Sequence, residues 1–171
     1  MITFRTAQVE DADKISQLVN SAYRGDEAKK GWTTEAYILD GQRTDLEKIL
    51  EMILDRNASI ELAIGNNVIL GCVYILKEPS NLYFGMLTVK PELQNKGVGR
   101  LLLSHVEELA KSWGFKKIRM TVIRGRKELI EYYERRGYKE TGNTEAFPED
   151  PRYGIPKTKL VLNEFEKILS E

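Results

Sequence analysis

At 171 residues, with 42% hydrophobic and 30% charged side chains, the chain is long enough to bury a core without disulfides or metals and too apolar to be disordered. Lys plus Arg and Asp plus Glu both number 26, and this balance argues against nucleic acid as a partner, because dedicated binders carry a basic excess. The single cysteine, Cys72, excludes an intrachain disulfide framework; the N-terminal residues lack a signal-peptide pattern; and no run approaches the ~18 apolar residues of a membrane span, so a cytoplasmic protein with no membrane partner is expected.

Residues 2–6 read as a short strand. Asp11 is placed to cap a helix whose apolar face is Ile15, Leu18, Val19 and Ala22. Residues 24–43 form a polar connection long enough to suggest a functional role. Thr44-Asp45-Leu46-Glu47 has the spacing of a capping box, and Leu46, Ile49, Leu50 and Ile53 give the next helical face. Ile60–Ile64 and Val68–Leu76, joined by Gly65-Asn66-Asn67, predict a hairpin. A further strand runs from Leu82 to Val89 and ends before Pro91. From Gly97 a helix continues to Trp113, with Val98, Leu102, Val106, Leu109 and Trp113 on one face, and Gly114 stops it. Lys117–Ile123 alternates as a strand, residues 126–136 form a helix stopped by Gly137, residues 145–156 with three prolines form a loop, and Lys157–Leu162 is the last strand. There is no repeat or linker, so residues 1–171 are expected to form a single α/β (α+β) domain on a mixed, mostly antiparallel sheet. Cys72, inside the apolar run Ile69–Leu76, reads as a small buried hydrophobe.

The most informative segment is Leu87-Thr88-Val89-Lys90-Pro91-Glu92-Leu93-Gln94-Asn95-Lys96-Gly97-Val98-Gly99-Arg100. A strand ends, a short loop follows, and a helix opens on Gln-x-x-Gly-x-Gly. The first N–H groups of a helix have no partner within it and lie at the positive end of its dipole. Glycines at 97 and 99 allow close approach of a ligand to the backbone, so the segment suits a pyrophosphate. A Walker A loop is absent, and a dinucleotide fingerprint would need a glycine where Leu102 stands.

This segment resembles the acetyl-CoA signature of the GNAT superfamily of N-acetyltransferases, Gln/Arg-x-x-Gly-x-Gly/Ala after a Leu-Thr-Val strand. The likeness extends over roughly residues 3–142. The family's second half, a strand and a helix ending in Tyr-Glu-x-x-Gly-Phe/Tyr, is matched by Tyr133-Glu134-Arg135-Arg136-Gly137-Tyr138. The resemblance implies a sheet of about six to seven strands flanked by about four helices, with acetyl-CoA as co-substrate and no metal. It places the general acid at Tyr133, four residues before Gly137, where a phenol with a reference pKa near ~10 can protonate the departing thiolate; otherwise the ring is simply core beside Leu129 and Ile130. It implicates Leu87, Thr88, Val89, Gln94, Asn95, Lys96, Gly97, Val98, Gly99 and Arg100 in cofactor binding. Arg126 stands where the family often has an asparagine that contacts the cofactor, and a guanidinium suits phosphate.

Acceptors in this superfamily are bound largely by segments equivalent to residues 24–43 and 145–156. Trp32 and Glu35, with Asp40, would suit a cationic amine, whereas Arg43 would suit a carboxylate, leaving an amino acid or amino-sugar acid equally open. Many members use a glutamate on the central strands to deprotonate the amine, but Leu82–Leu87 contains no carboxylate, which leaves Glu61, Glu35 and Glu78, with mid-helix His105 a weaker choice. The expected activity is acetyl transfer to a primary amine of a small molecule or peptide, and a homodimer is left open. The competing class is a non-enzymatic acyl-CoA-binding module with a degenerate acceptor site. An RNA- or protein-modifying enzyme is disfavoured by the neutral charge.

Overall fold

The periodic segments of the sequence become the elements of a computed structural model that describes residues 1–23, 39–40, 43–148, 154–157 and 159–170. In chain order these are β1 (Thr3–Thr6), α1 (Ala12–Tyr23), β2 (Leu39–Asp40), α2 (Leu46–Leu54), β3 (Ala58–Gly65), β4 (Val68–Lys77), β5 (Leu82–Val89), α3 (Val98–Ser112), β6 (Lys117–Ile123), α4 (Lys127–Glu134), β7 (Lys139–Ala146), β8 (Ile155–Pro156) and β9 (Val161–Ile168). Seven strands form one sheet in the order β1-β3-β4-β5-β6-β9-β7, and only the β5–β6 neighbours run parallel. This is the mixed, mostly antiparallel α/β architecture expected from the sequence.

The helices cover both faces. Ile15, Leu18 and Val19 of α1 and Ile49 of α2 pack on Ile60, Leu62, Cys72 and Met86. On the other face Val98, Leu102, Leu103 and Val106 of α3 and Tyr133 of α4 pack on Val73, Ile75, Leu82 and Phe84. The β3–β4 hairpin turns on Asn66 (φ 51) and Asn67 (φ 62); paired left-handed residues match the twist of a two-residue hairpin turn, and asparagine tolerates that conformation.

Several boundaries differ from the sequence reading. Asp11 does not cap α1. Its carboxylate accepts from Gln8 N at 2.8 Å and pairs with Arg5, closing a 3₁₀ turn at Val9–Asp11 that runs into the helix. Asp45, not Thr44, caps α2 by accepting from Lys48 N at 2.7 Å, because Asn20 holds the backbone of Thr44 on both its N–H and its carbonyl. The last strand is Val161–Ile168 rather than Lys157–Leu162, since its pairing with β6 runs without interruption from Ile123↔Leu162 to Lys117↔Ile168. Residues 145–146 belong to β7, an exposed strand at the sheet edge whose polar side chains carry no alternation and protect that edge. The two long connections also meet, for Leu39 pairs with Pro156 and Asp40 with Ile155.

A bulge in β5 shapes the site. Tyr74 pairs with Gly85, but Cys72 pairs with Thr88, so Met86 and Leu87 together oppose Val73. Met86 has φ 55, an uncommon conformation for a non-glycine residue. One extra residue inverts the alternation of the strand. Leu82 and Phe84 face the α3–α4 layer, Met86 faces the α1–α2 layer, and Leu87 and Val89 return to the α3–α4 side. Beyond Leu82↔Ile118 and Tyr83↔Arg119, β5 and β6 share no pairing among the described residues, while each remains paired to its other neighbour. A cleft therefore opens in the middle of the sheet, between the C-terminal halves of β5 and β6.

Candidate active site

The chain leaves β5 through a 3₁₀ turn at Pro91–Leu93, and Gln94 folds back so that its amide donates to the Val89 carbonyl at 3.3 Å. Left-handed Asn95 (φ 67) and Gly97 (φ 90) then turn the chain into α3, whose N-cap is Gly97. The two glycines act differently. Gly97 supplies the positive φ. Gly99 supplies space, since a Cβ there would lie 2.9 Å from the Tyr132 hydroxyl.

This helix entry borders a cavity of about 540 Å³ lined by Leu87, Thr88, Val89, Gln94, Asn95, Lys96, Gly97, Gly99, Arg100 and Arg126. Of the residues expected to bind the cofactor only Val98 is elsewhere, its side chain buried in the core. Lys96, Arg100, Arg126 and Arg136 give the lining four cations, with no carboxylate among the described lining residues. Arg136 was not singled out from the sequence. Its guanidinium lies 3.5 Å from the Tyr132 ring centroid and donates to the Tyr132 carbonyl at 2.8 Å; the four-residue spacing of the pair within the helix expected over residues 126–136 was the available signal. Cations, open helix N–H groups and a cleft with apolar walls fit the phosphates and the pantetheine arm of coenzyme A.

A second cavity of about 310 Å³ lies across the β5–β6 cleft and is lined by both strands. Arg43 borders it; Trp32 and Glu35 lie outside the described residues. Tyr133 borders both cavities, as do Tyr23, Leu87, Arg126 and Leu129. Tyr133 is 7% exposed, and its ring meets those of Tyr132, Phe84 and Tyr138. Burial holds its phenol well above the ordinary value, and neighbouring tyrosines push the same way against Arg126. The group is a protonated donor throughout the neutral range. Tyr23 was not singled out from the sequence and Arg126 was read only as a phosphate ligand, yet both stand where the cavities meet.

Residues 14–138 match the family model described as the acetyltransferase (GNAT) family. The chain belongs to the GNAT acetyltransferase family. It is an acyltransferase, and the family's co-substrate is acetyl-CoA. A search of curated proteins gave no match. Similar solved structures include a ribosomal-protein-alanine N-acetyltransferase from Brucella melitensis, 20% identical, with a TM-score of 0.71 over 98% of this chain and 99% of that one. An N-acetyltransferase from Staphylococcus aureus Mu50 is 19% identical, with a TM-score of 0.70 over 99% of each chain. These likenesses extend the GNAT fold over nearly the whole chain. No helix among the described residues is long and apolar enough to cross a membrane.

Other reactive groups of this GNAT chain stand away from the cleft. Glu61 accepts from Thr6 Oγ1 at 2.7 Å and meets His105 Nε2 at 2.9 Å, while the His105 ring stacks on Phe4 with centroids 4.5 Å apart. Glu78 pairs with Arg119 at 2.7 Å. None of Glu61, Glu78 and His105 lines either cavity. Glu35, the remaining carboxylate considered as a base, lies outside the described residues. Cys72 is fully buried, and burial pushes its thiol up to about 12, so it is not a nucleophile at neutral pH.

Proposed function

We propose that residues 1–171 act as one catalytic domain, of cytoplasmic location, that transfers acetyl from acetyl-CoA directly to the primary amine of a small molecule or peptide. The observation that supports this reading best is the position of Tyr133, a protonated phenol bordering both the cationic cavity and the second cavity across the cleft.

In this reading Lys96, Arg100, Arg126 and Arg136 neutralise the coenzyme phosphates, the first turn of α3 supplies N–H donors, and the edge of β5 that β6 has left offers the backbone of Leu87 and Val89 to the pantetheine arm. Transfer forms the amide C–N bond and breaks the C–S bond. Tyr133 gives its hydroxyl proton to the departing sulfur and recovers one from solvent. The amine must attack unprotonated. The described lining residues of both cavities include no carboxylate or imidazole, so we assign removal of its proton to water. Cys72, buried and protonated, leaves direct transfer as the route, without an acyl-enzyme.

The test is release of free thiol from acetyl-CoA with an amine panel, with mass spectrometry of the product. Amine-dependent thiol release with an acetylated product is the expected result. Acetyl-CoA binding without acetylation of any amine would favour the non-enzymatic acyl-CoA-binding module.

A further inference from the structure

The second cavity has a defined charge. Arg43, Lys48 and Arg126 line it, and no carboxylate does among the described residues. Lys48 pairs with Glu51 on its own helix at 3.6 Å, and Arg126 reaches Glu128 at 3.4 Å. No carboxylate pairs with the Arg43 guanidinium among the described residues. It lies instead over the Tyr23 ring, 5.3 Å from the centroid, beside the point where the two cavities meet.

Arg43 is also held in place. Its N–H donates to Asn20 Oδ1 at 2.7 Å, and the same oxygen accepts from Thr44 N at 3.0 Å. Asn20 Nδ2 donates to the Thr44 carbonyl at 3.0 Å. A side chain of α1 thus fixes the backbone that carries the guanidinium, immediately before α2. A guanidinium carried on a fixed backbone at a cavity wall, with an aromatic face on one side and no carboxylate of the described residues paired with it, is arranged for a carboxylate or another planar anion. Much of the rest of the wall is apolar or aromatic: Met52, Tyr74, Tyr83, Met120 and Phe147 contribute. The volume of about 310 Å³ is at the small end for ligand cavities.

We infer that the acceptor is an anionic amine of amino-acid size: a primary amine and an anionic group on an apolar or aromatic body, with Arg43 binding the anion. The inference rests on the acetyltransferase reading and adds the acceptor class. A cationic polyamine would meet three like charges at this wall. A peptide N-terminus would present an uncharged carbonyl where a free amino acid presents its carboxylate.

The test compares kcat/KM for apolar and aromatic α-amino acids, their amides, the amines lacking the carboxylate, and the matching aminophosphonates, with wild type, Arg43→Ala and Arg43→Lys. Wild type is expected to favour the acids over the amides and the plain amines by about 10- to 100-fold, the range of a charge-assisted hydrogen bond. Arg43→Ala should bring the acid-to-amide ratio towards one, chiefly through KM, and Arg43→Lys should restore part of it. Preference for aminophosphonates over carboxylates would identify the anion within the same class. Preference for neutral or cationic amines, for peptides or amides, use of no acid at all, or an acid preference that survives Arg43→Ala overturns the inference. The melting shift with acetyl-CoA and thiol release with any amine report separately on the acetyltransferase reading, and both can stand when the anionic acceptor fails.

Discussion

The hydroxyl of Tyr23 donates to the carbonyl of Leu87 at 2.5 Å, joining the last residue of α1 to β5 at its bulge. Leu87 lies on the stretch of β5 that β6 has left, so the bond satisfies a strand carbonyl that the sheet does not. The same tyrosine borders both cavities and carries the Arg43 guanidinium on its ring.

Tyr23→Phe keeps the ring under Arg43 and removes the donor. Stability is expected to fall by about 1 kcal/mol, the usual net value of one hydrogen bond. KM for both acetyl-CoA and the acceptor should rise several-fold. Thermal unfolding and steady-state kinetics check this, and unchanged KM values would reduce the contact to a fold-stabilising one.

Gly99→Glu sets a Cβ 2.9 Å from the Tyr132 hydroxyl and 3.6 Å from Val89 Cγ2 and adds a negative charge to a cationic lining. Acetyl-CoA at 100 times its Kd should stabilise the wild type by about 2.7 kcal/mol. In a folded Gly99→Glu protein that shift should be lost. A retained shift would move the coenzyme phosphates away from the start of α3.

Glu61→Gln separates a structural carboxylate from a catalytic one. Glu61 is 4% exposed and holds Thr6 and His105 together, tying β1 and α3 to β3. The variant should lose about 1–3 kcal/mol of stability and keep turnover within about twofold. A turnover loss greater than the fraction unfolded would restore Glu61 as a base candidate.

Much of this was legible in the sequence because it rests on local chemistry. The glycine-punctuated entry to α3, the helical faces of α1 and α2, and the Asn66-Asn67 turn follow from backbone preference and periodicity. The bulge did not, since Met86 is not a residue that signals a left-handed conformation; its φ is set by the pairing of β5 with β4 and by the packing of its side chain against α1 and α2. A strand after the last helix was expected, but β7 received no bounds from the sequence, because an exposed edge strand has no buried face to impose alternation. The cationic cavity was readable up to Arg126. Arg136 and Tyr23 reach it only through the placement of α4 and α1 on the sheet, which is long-range information.

Alkaline pH should weaken the fold with a predictable sign. Burial pushes the Cys72 thiol up to about 12, well above its ordinary range, and Tyr133 and Tyr138 are raised by the same cause. A group whose folded pKa is raised contributes stability that is fully present below the unfolded pKa and lost as pH rises towards the folded one. Stability should therefore begin to fall near pH 9, by up to about 1.4 kcal/mol per pH unit for each such group. Denaturant titrations should show a shallower fall for Cys72→Ala between about pH 9 and 10. Equal slopes in the two proteins would remove Cys72 as the cause.

The acid role of Tyr133 is tested most directly by Tyr133→Phe, which preserves ring volume against Phe84, Leu129 and Ile130 and deletes only the hydroxyl. Turnover is measured across pH for both proteins where chemistry limits the rate, beside an acetyl-CoA titration. The account predicts a loss of about 10²–10⁴-fold in turnover with coenzyme affinity preserved, and no loss of wild-type rate up to about pH 10 from ionisation of this phenol, because burial keeps it protonated. A Tyr133→Phe enzyme that retains most of the wild-type turnover would contradict it.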